Sequence, residues 1–342
     1  MGSRQWLATL AAAVGALATM SCATVEKPVP MEAVIGNNFG HLPMFVGVEK
    51  GLFQKHGVDL KLKVVNTGTD MVNAMQKREV QIGDMSVTTF LKARHDGSPF
   101  TVIGLIMNDA TATNADDPLA IVARKDSGIR QVEDLKGKRV GLARGQTSDE
   151  YFKMVLSRRG MKYEDVRIEN IMAPPAIAAA LAQGKVDAVV SWEPFNTMAL
   201  ESAKDSYVVL RGGGHLSYIM VATVHDPMLK NDPKTVQNFV NGLAAASHYT
   251  RMNRQEAVEI FAKWVPNVDR SVAQKAVQHI KYDPRVSSAS LKAFENAQGD
   301  LLNLTLKPGT KPLRITDIVL ASYTQAAEKA YPEYFADLAP LK

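Results

Sequence analysis

Cysteine is almost missing from this chain of 342 residues: Cys22 is the only one. An internal disulfide is therefore excluded, and so is a zinc site built from several thiolates. The seven histidines stand apart without close pairs, and no HExxH occurs, so nothing in the sequence supports a metal centre. No GxSxG elbow and no Walker loop is present, which removes the signatures of an α/β-hydrolase and a P-loop NTPase. Gly212–Gly214 is not followed by a helix start and so is no dinucleotide fingerprint, and no cofactor is expected. Charge of one sign is also lacking: 40 basic and 35 acidic side chains leave a net +5, spread without a block long enough for a nucleic-acid tail. The apolar stretch from Trp6 to Met20 is shorter than the roughly 20 residues a membrane-spanning helix needs.

That stretch follows Arg4 and is bracketed like a secretory signal, so residues 1–22 read as a signal peptide and residues 23–30 as a polar, Pro-bearing linker. Cys22 falls directly after the apolar stretch. Its position resembles the lipobox of bacterial lipoproteins, in which the cysteine is diacylated and becomes the mature N-terminus. Thr19 stands where lipoboxes usually carry Leu. The expectation is a periplasmic chain lipid-anchored through Cys22, with plain signal cleavage as the competing outcome.

The length exceeds the usual 100–200 residues of one domain, so two lobes are expected. The organising stretch is Ala178–Phe195, a small-residue helix, a glycine turn and an apolar strand that ends on Trp192, Glu193 and Pro194. Ala74, Met75, Val80 and Gln81 match Ala180, Leu181, Val186 and Asp187 at identical spacing, which predicts a second jaw of like construction. Around these units the pattern gives strands over Met31–Ile35, Val58–Val65, Val80–Gly83, Phe100–Met107, Leu119–Arg124, Lys138–Leu142, Val166–Ile171, Tyr207–Leu210 and Tyr218–Val224. The alternation in Val58–Val65 predicts a strand near an edge. Thr69 is the expected N-cap of the helix through Met71, and Thr147 with Glu150 has capping-box spacing. Arg211–Gly214 reads as a hinge. Residues 118–215 form the expected second lobe, and residues 31–117 plus 216–342 the first. Helices over Val236–Thr250, Gln255–Trp264, Val272–Tyr282, Leu291–Leu304 and Thr316–Ala330 are expected to buttress that first lobe.

Three ordered segments carry a family resemblance: HLPMFVGVEKGLFQKHGVDLKL, Asp134–Gly141, and Ala180–Pro194. They resemble the periplasmic solute-binding proteins of ABC importers, of the nitrate, sulfonate and taurine type, shading into the type that binds a pyrimidine precursor of thiamine. The resemblance implies an α/β, two-lobed periplasmic-binding-protein fold (type II) with two crossover strands and C-terminal helices packed on the first lobe. It implies a monomer that captures a small ligand between closing lobes and delivers it to a permease with its ATPase, with no metal, cofactor or nucleic acid. The ligand contacts it implies are Asn37, Asn38, His41, Thr67, Gly68 and Ser86 from one side, and Gln146, Thr147, Ser148, Trp192 and Glu193 from the other. Asp84 and Glu193 disfavour a bare anion unless they face away, and the Met, Trp and His residues nearby suit a partly apolar or aromatic ligand as well as a sulfonate. His41 with Glu193 would serve a pyrimidine ring. A cytosolic pyrimidine-precursor synthase, which binds its cofactor through a lysine, and an extracytoplasmic sensor are the other readings.

Overall fold

Ten strands form two five-stranded sheets in the computed structural model, which describes residues 27–266 and 268–341. The expected signal segment and Cys22 lie outside the described residues. The strands are β1 (Val29–Gly36), β2 (Val58–Val65), β3 (Ile82–Ser86), β4 (Phe100–Met107), β5 (Leu119–Arg124), β6 (Arg139–Leu142), β7 (Arg167–Asn170), β8 (Ala188–Trp192), β9 (Ser206–Arg211) and β10 (Met220–His225). The first sheet has the order β2-β1-β3-β10-β4 and the second β7-β6-β8-β5-β9. In each sheet only one strand runs antiparallel to its neighbours, and it is the strand on which the chain arrives from the other lobe: β5 in the second, β10 in the first. Both lobes are thus α/β layers of one construction, joined by two crossings.

The internal repeat has a physical basis. The helix Gly68–Gln76 leads to β3 as Pro174–Ala182 leads to β8, and the strands start and stop at matching positions. Ala74 and Ala180 are buried where helix meets sheet, and Val80 and Val186 are buried beneath the turn. Gln81 and Asp187 do the same job: Gln81 Oε1 accepts from the Glu32 amide at 2.8 Å and Asp187 Oδ2 from the Arg139 amide at 2.9 Å, each fixing the register of the adjoining parallel strand. Ser86 and Trp192 are the corresponding last residues of their strands.

Several local expectations are corrected. The strand expected over Val80–Gly83 runs instead from Ile82 to Ser86, because Asp84 and Ser86 are wholly inside the sheet despite their polarity. The helix N-cap is Thr67, extended at φ −132° and ψ 152°, with its hydroxyl accepting from Asp70 N; Thr69 is already inside the helix. Thr147 does not cap its helix, since Gln146 occupies the N-cap and Glu150 is engaged with Lys92. Pro174 and Pro175 open a helix, where Pro is tolerated because the first-turn amides have no intrahelical partner. The helix expected over Val272–Tyr282 ends at Ala276 and gives way to a 3-10 turn. The one expected over Thr316–Ala330 is broken, because Val319 bridges to Val102 and the Leu320 amide bonds Val102 O.

The edge strand β4 is buried along its whole length. The C-terminal helices Pro233–Met252 and Ser322–Ala330 and the Val319 bridge cover it, removing an open edge. One C-terminal helix departs from the expected arrangement: Arg270–Ala276 packs on Phe195–Ser202 of the second lobe, with Lys275 2.6 Å from Glu201. On the first lobe, Phe53 fills the gap between the helices Leu42–Glu49 and Pro233–Met252, and glycines on both make room. A Cβ at Gly242 would stand 2.6 Å from Phe53 Cδ1 and 3.0 Å from its Cα. Gly242→Ala is expected to cost about 1–3 kcal/mol of stability, because backbone cannot give way as a flexible side chain can; a chemical denaturation midpoint checks it. No helix among the described residues is long and apolar enough to cross a membrane.

The crossings run side by side and are tied by one buried carboxylate. Asp116 accepts from the backbone amides of Gly214, His215 and Leu216 at 2.9, 2.7 and 3.1 Å. Gly212, Gly213 and Gly214 all have positive φ, of 54, 100 and 71°, which bends the chain around that carboxylate. The expected hinge is therefore a glycine-shaped turn pinned to its neighbour.

Candidate functional site

Strand ends from both sheets face one cavity of about 390 Å³, counted to its open mouth. Gly36 ends β1, Ser86 ends β3, Trp192 ends β8 and Met220 begins β10, so the cavity lies at the end of the sheets where α/β proteins usually hold ligands.

Three helix starts converge on it. Gly68 opens the helix Gly68–Gln76, Ser86 caps Val87–His95 by accepting from the Thr89 amide, and Gln146 and Thr147 begin Thr147–Arg158. Each start carries partial positive charge from its aligned peptides, which favours an anion at their meeting point. Hydroxyls line the same place: Ser86 Oγ lies 2.9 Å from Thr89 Oγ1, and Thr147 Oγ1 donates to Ser86 Oγ at 3.2 Å from the opposite lobe. Gln146 Oε1 accepts from the Gly68 amide at 3.3 Å, and Lys92 reaches across to Gly145 O and Glu150. The two jaws therefore touch in this conformation. Among the described lining residues there is no Lys, Arg, Asp or Glu. Met71, Met220, Tyr218 and Trp192 supply an apolar wall.

Behind the wall sits a buried pair. His41 Nδ1 is 2.7 Å from Asp84 Oδ2, and both side chains are 0 % exposed. Burial pushes the Asp84 carboxyl above the usual carboxylate range, while His41 pulls it back. His41 Nε2 and Trp192 Nε1 are buried with no hydrogen-bond partner in the protein, and both residues line the cavity. Buried polar atoms are ordinarily satisfied, so these two mark positions where a ligand atom belongs.

Of the contacts expected from sequence, Asn38, His41, Gly68, Ser86, Gln146, Thr147 and Trp192 line the cavity. Four others do not. Asn37 donates to Asn66 Oδ1 at 3.1 Å, Thr67 is spent on capping, and Ser148 is fully buried behind its helix start. Glu193 turns away: Oε2 accepts from the Thr197 amide and hydroxyl at 3.2 and 2.8 Å, and Oε1 is 2.7 Å from Arg211. Its carboxylate locks the helix Phe195–Ser202 to the end of β9. Sequence reasoning missed Gly36, Asn66, Met71, Thr89, Tyr218 and Met220. Applying the repeat to strand ends would have pointed to Met220, which pairs with Ser86. The methionines otherwise read as ordinary core.

No group of three His, Cys, Asp or Glu that could hold a metal exists among the described residues. An Escherichia coli (strain K12) protein described as an aliphatic sulfonates-binding protein is 24% identical over 258 residues, covering 74% of this chain and 77% of its own. A Saccharomyces cerevisiae 4-amino-5-hydroxymethyl-2-methylpyrimidine phosphate synthase, THI5, is 23% identical over 253 residues, covering 70% and 71%. Among solved structures, the periplasmic aliphatic sulphonate binding protein SsuA from Escherichia coli superposes with a TM-score of 0.73 at 18% identity, covering 86% of this chain and 92% of that one. Binding proteins and an enzyme are thus both among the proteins this chain is similar to. The family model described as NMT1/THI5 like matches residues 38–257, and with two sheets whose strand ends line one cavity the chain belongs to the NMT1/THI5-like family.

Proposed function

We propose that this chain is the extracytoplasmic binding component of an ABC importer, and that it closes its two lobes on a small organic oxyanion of the sulfonate class. The observation that carries the reading is the meeting of three helix N-termini and three hydroxyls in a cavity whose described lining holds no charged carboxylate or amine. A sulfonate presents three oxygens that only accept, which suits the positive ends of three helices and hydroxyls that can turn to donate, and its organic part matches Met71, Met220 and Trp192. Polar groups from both lobes hold the ligand only when the lobes meet, so binding shifts the population toward the closed form that a permease reads. The lobes are assigned to residues 31–117 with 216–342 and to residues 118–215, and the partners to a permease and its ATPase. Cys22 is assigned as the lipid anchor of the mature chain.

The pyrimidine reading depended on Glu193 as a second ring partner, and Glu193 is engaged elsewhere. A synthase reading needs a lysine in the cavity, where the described lining has none. A thermal-shift series with ethanesulfonate, taurine, nitrate and a hydroxymethylpyrimidine tests the proposal. The expected result is that the sulfonates raise the melting temperature most, a ligand at 100 times its Kd adding about 2.7 kcal/mol. Stabilisation by the pyrimidine alone would overturn it.

A further inference from the structure

Asp84 is the least explained residue of the first sheet. It stands in the middle of β3, fully buried, beside a histidine that is also fully buried. Burying a carboxylate and an imidazole in the protein interior costs several kcal/mol unless they satisfy one another. The fold does not require it, because Val190 occupies the corresponding position of β8 in the second lobe. The pair is thus particular to the jaw that carries Gly36, Ser86 and the unpartnered His41 Nε2. Gly36 leaves the room in which this nitrogen sits: a Cβ there would lie 2.5 Å from Nε2.

The chemistry of the pair follows from its geometry. With Asp84 ionised and His41 neutral, the carboxylate 2.7 Å from Nδ1 favours the tautomer protonated there, and Nε2 then offers a lone pair to the cavity. The pair then has a net charge of minus one, and an oxyanion meets repulsion from both the lone pair and the charge. One proton added to Nε2 makes the pair neutral overall and turns Nε2 into a donor. The other titratable group whose field meets Asp84 is the Tyr218 phenol, which burial and Asp84 together hold neutral.

We propose that Asp84 is a positioning residue which, through His41, makes the cavity take its oxyanion together with one proton from solvent. The inference rests on the oxyanion reading above and deepens it: the ligand is selected by charge, and a neutral ring that donates to Nε2 binds without proton uptake.

Calorimetric titration of the full chain with ethanesulfonate, in two buffers of different ionisation enthalpy, reads the proton directly. Uptake of up to one proton is expected, with affinity falling by up to about tenfold per pH unit wherever the free pair lacks that proton. In Asp84→Asn the amide can donate to Nδ1 and leave Nε2–H in place on a neutral ring, so uptake drops to about zero and the pH profile flattens. His41→Gln, whose amide needs no proton to donate, shows the same flat profile and serves if Asp84→Asn does not fold. Enthalpies that do not depend on the buffer, or uptake unchanged in these variants, overturn the role of the pair while the oxyanion site stands. No binding of ethanesulfonate at any pH overturns both.

Discussion

Asp116→Ala is expected to lower the stability of the chain by about 3 kcal/mol, the largest loss we expect from a single polar side chain. Its carboxylate is 2 % exposed and accepts three successive backbone amides across the two crossings. Hydrogen bonds to a charged acceptor contribute about 1.5–3 kcal/mol each, and amides left without a partner in the interior cost about 1–3 kcal/mol apiece. Water entering the vacated space offsets part of that sum, which leaves about 3 kcal/mol. Tyr151, which donates to Gly212 O at 2.8 Å, loses its fixed partner as the turn loosens. A urea midpoint measures the effect, and Asp116→Asn, which keeps one acceptor oxygen, is expected to fall between. A loss below about 1 kcal/mol in the alanine variant would mean that the crossings are held by their strands alone.

Glu150→Gln is expected to weaken sulfonate binding about tenfold without touching the ligand. Glu150 sits on the second lobe with a side chain 7% exposed and engages Lys92 of the first lobe, which also donates to Gly145 O at 3.3 Å. Burial pushes the Glu150 carboxyl above its usual range, and Lys92 is the main group that draws it back. Removing one partner of such a pair leaves the other charge poorly solvated only while the lobes are together. The cost therefore falls on the closed state. With Lys92 partly exposed it amounts to about 1–2 kcal/mol, which is about tenfold in apparent affinity. Lys92→Met should do the same, and the double variant should recover part of the loss, with a coupling of about 1 kcal/mol by the double-mutant cycle. Two losses that simply add would show that the pair is idle.

The strands easiest to read were those with continuous apolar runs, Phe100–Met107 and Leu119–Arg124, whose limits the structure reproduces. The repeat was legible because Ala74, Val80 and Gln81 and their counterparts each have a fixed task where helix, turn and strand meet. What escaped was decided by contacts between distant parts of the chain. Asp84 looked like a loop residue because a carboxylate inside a strand makes sense only once His41 lies beside it. Glu193 looked like a ligand contact because its neighbour Trp192 is one, yet Arg211 on another strand turns it away. Met71 and Met220 have the spacing of core residues and line the cavity only because two strand ends and a helix start bring them to its rim. The C-terminal helices were legible one at a time, whereas the packing of Arg270–Ala276 on the second lobe depends on surfaces that no periodicity encodes.

The pairing at the tips of β3 and β8 carries a mechanical consequence. Ser86 lies opposite Met220 and Trp192 opposite Leu119, and Met220 and Leu119 are the first strand residues after the chain leaves each crossing. Ligand and pivot are thus one rung of the ladder apart on both sides. Closure needs no relay through the body of either lobe: a pull on the rung at Ser86 or Trp192 reaches the crossing directly, like a hand closed near the rivet of a pair of pliers. Such a short lever gives little travel at the ligand and large travel at the far rims.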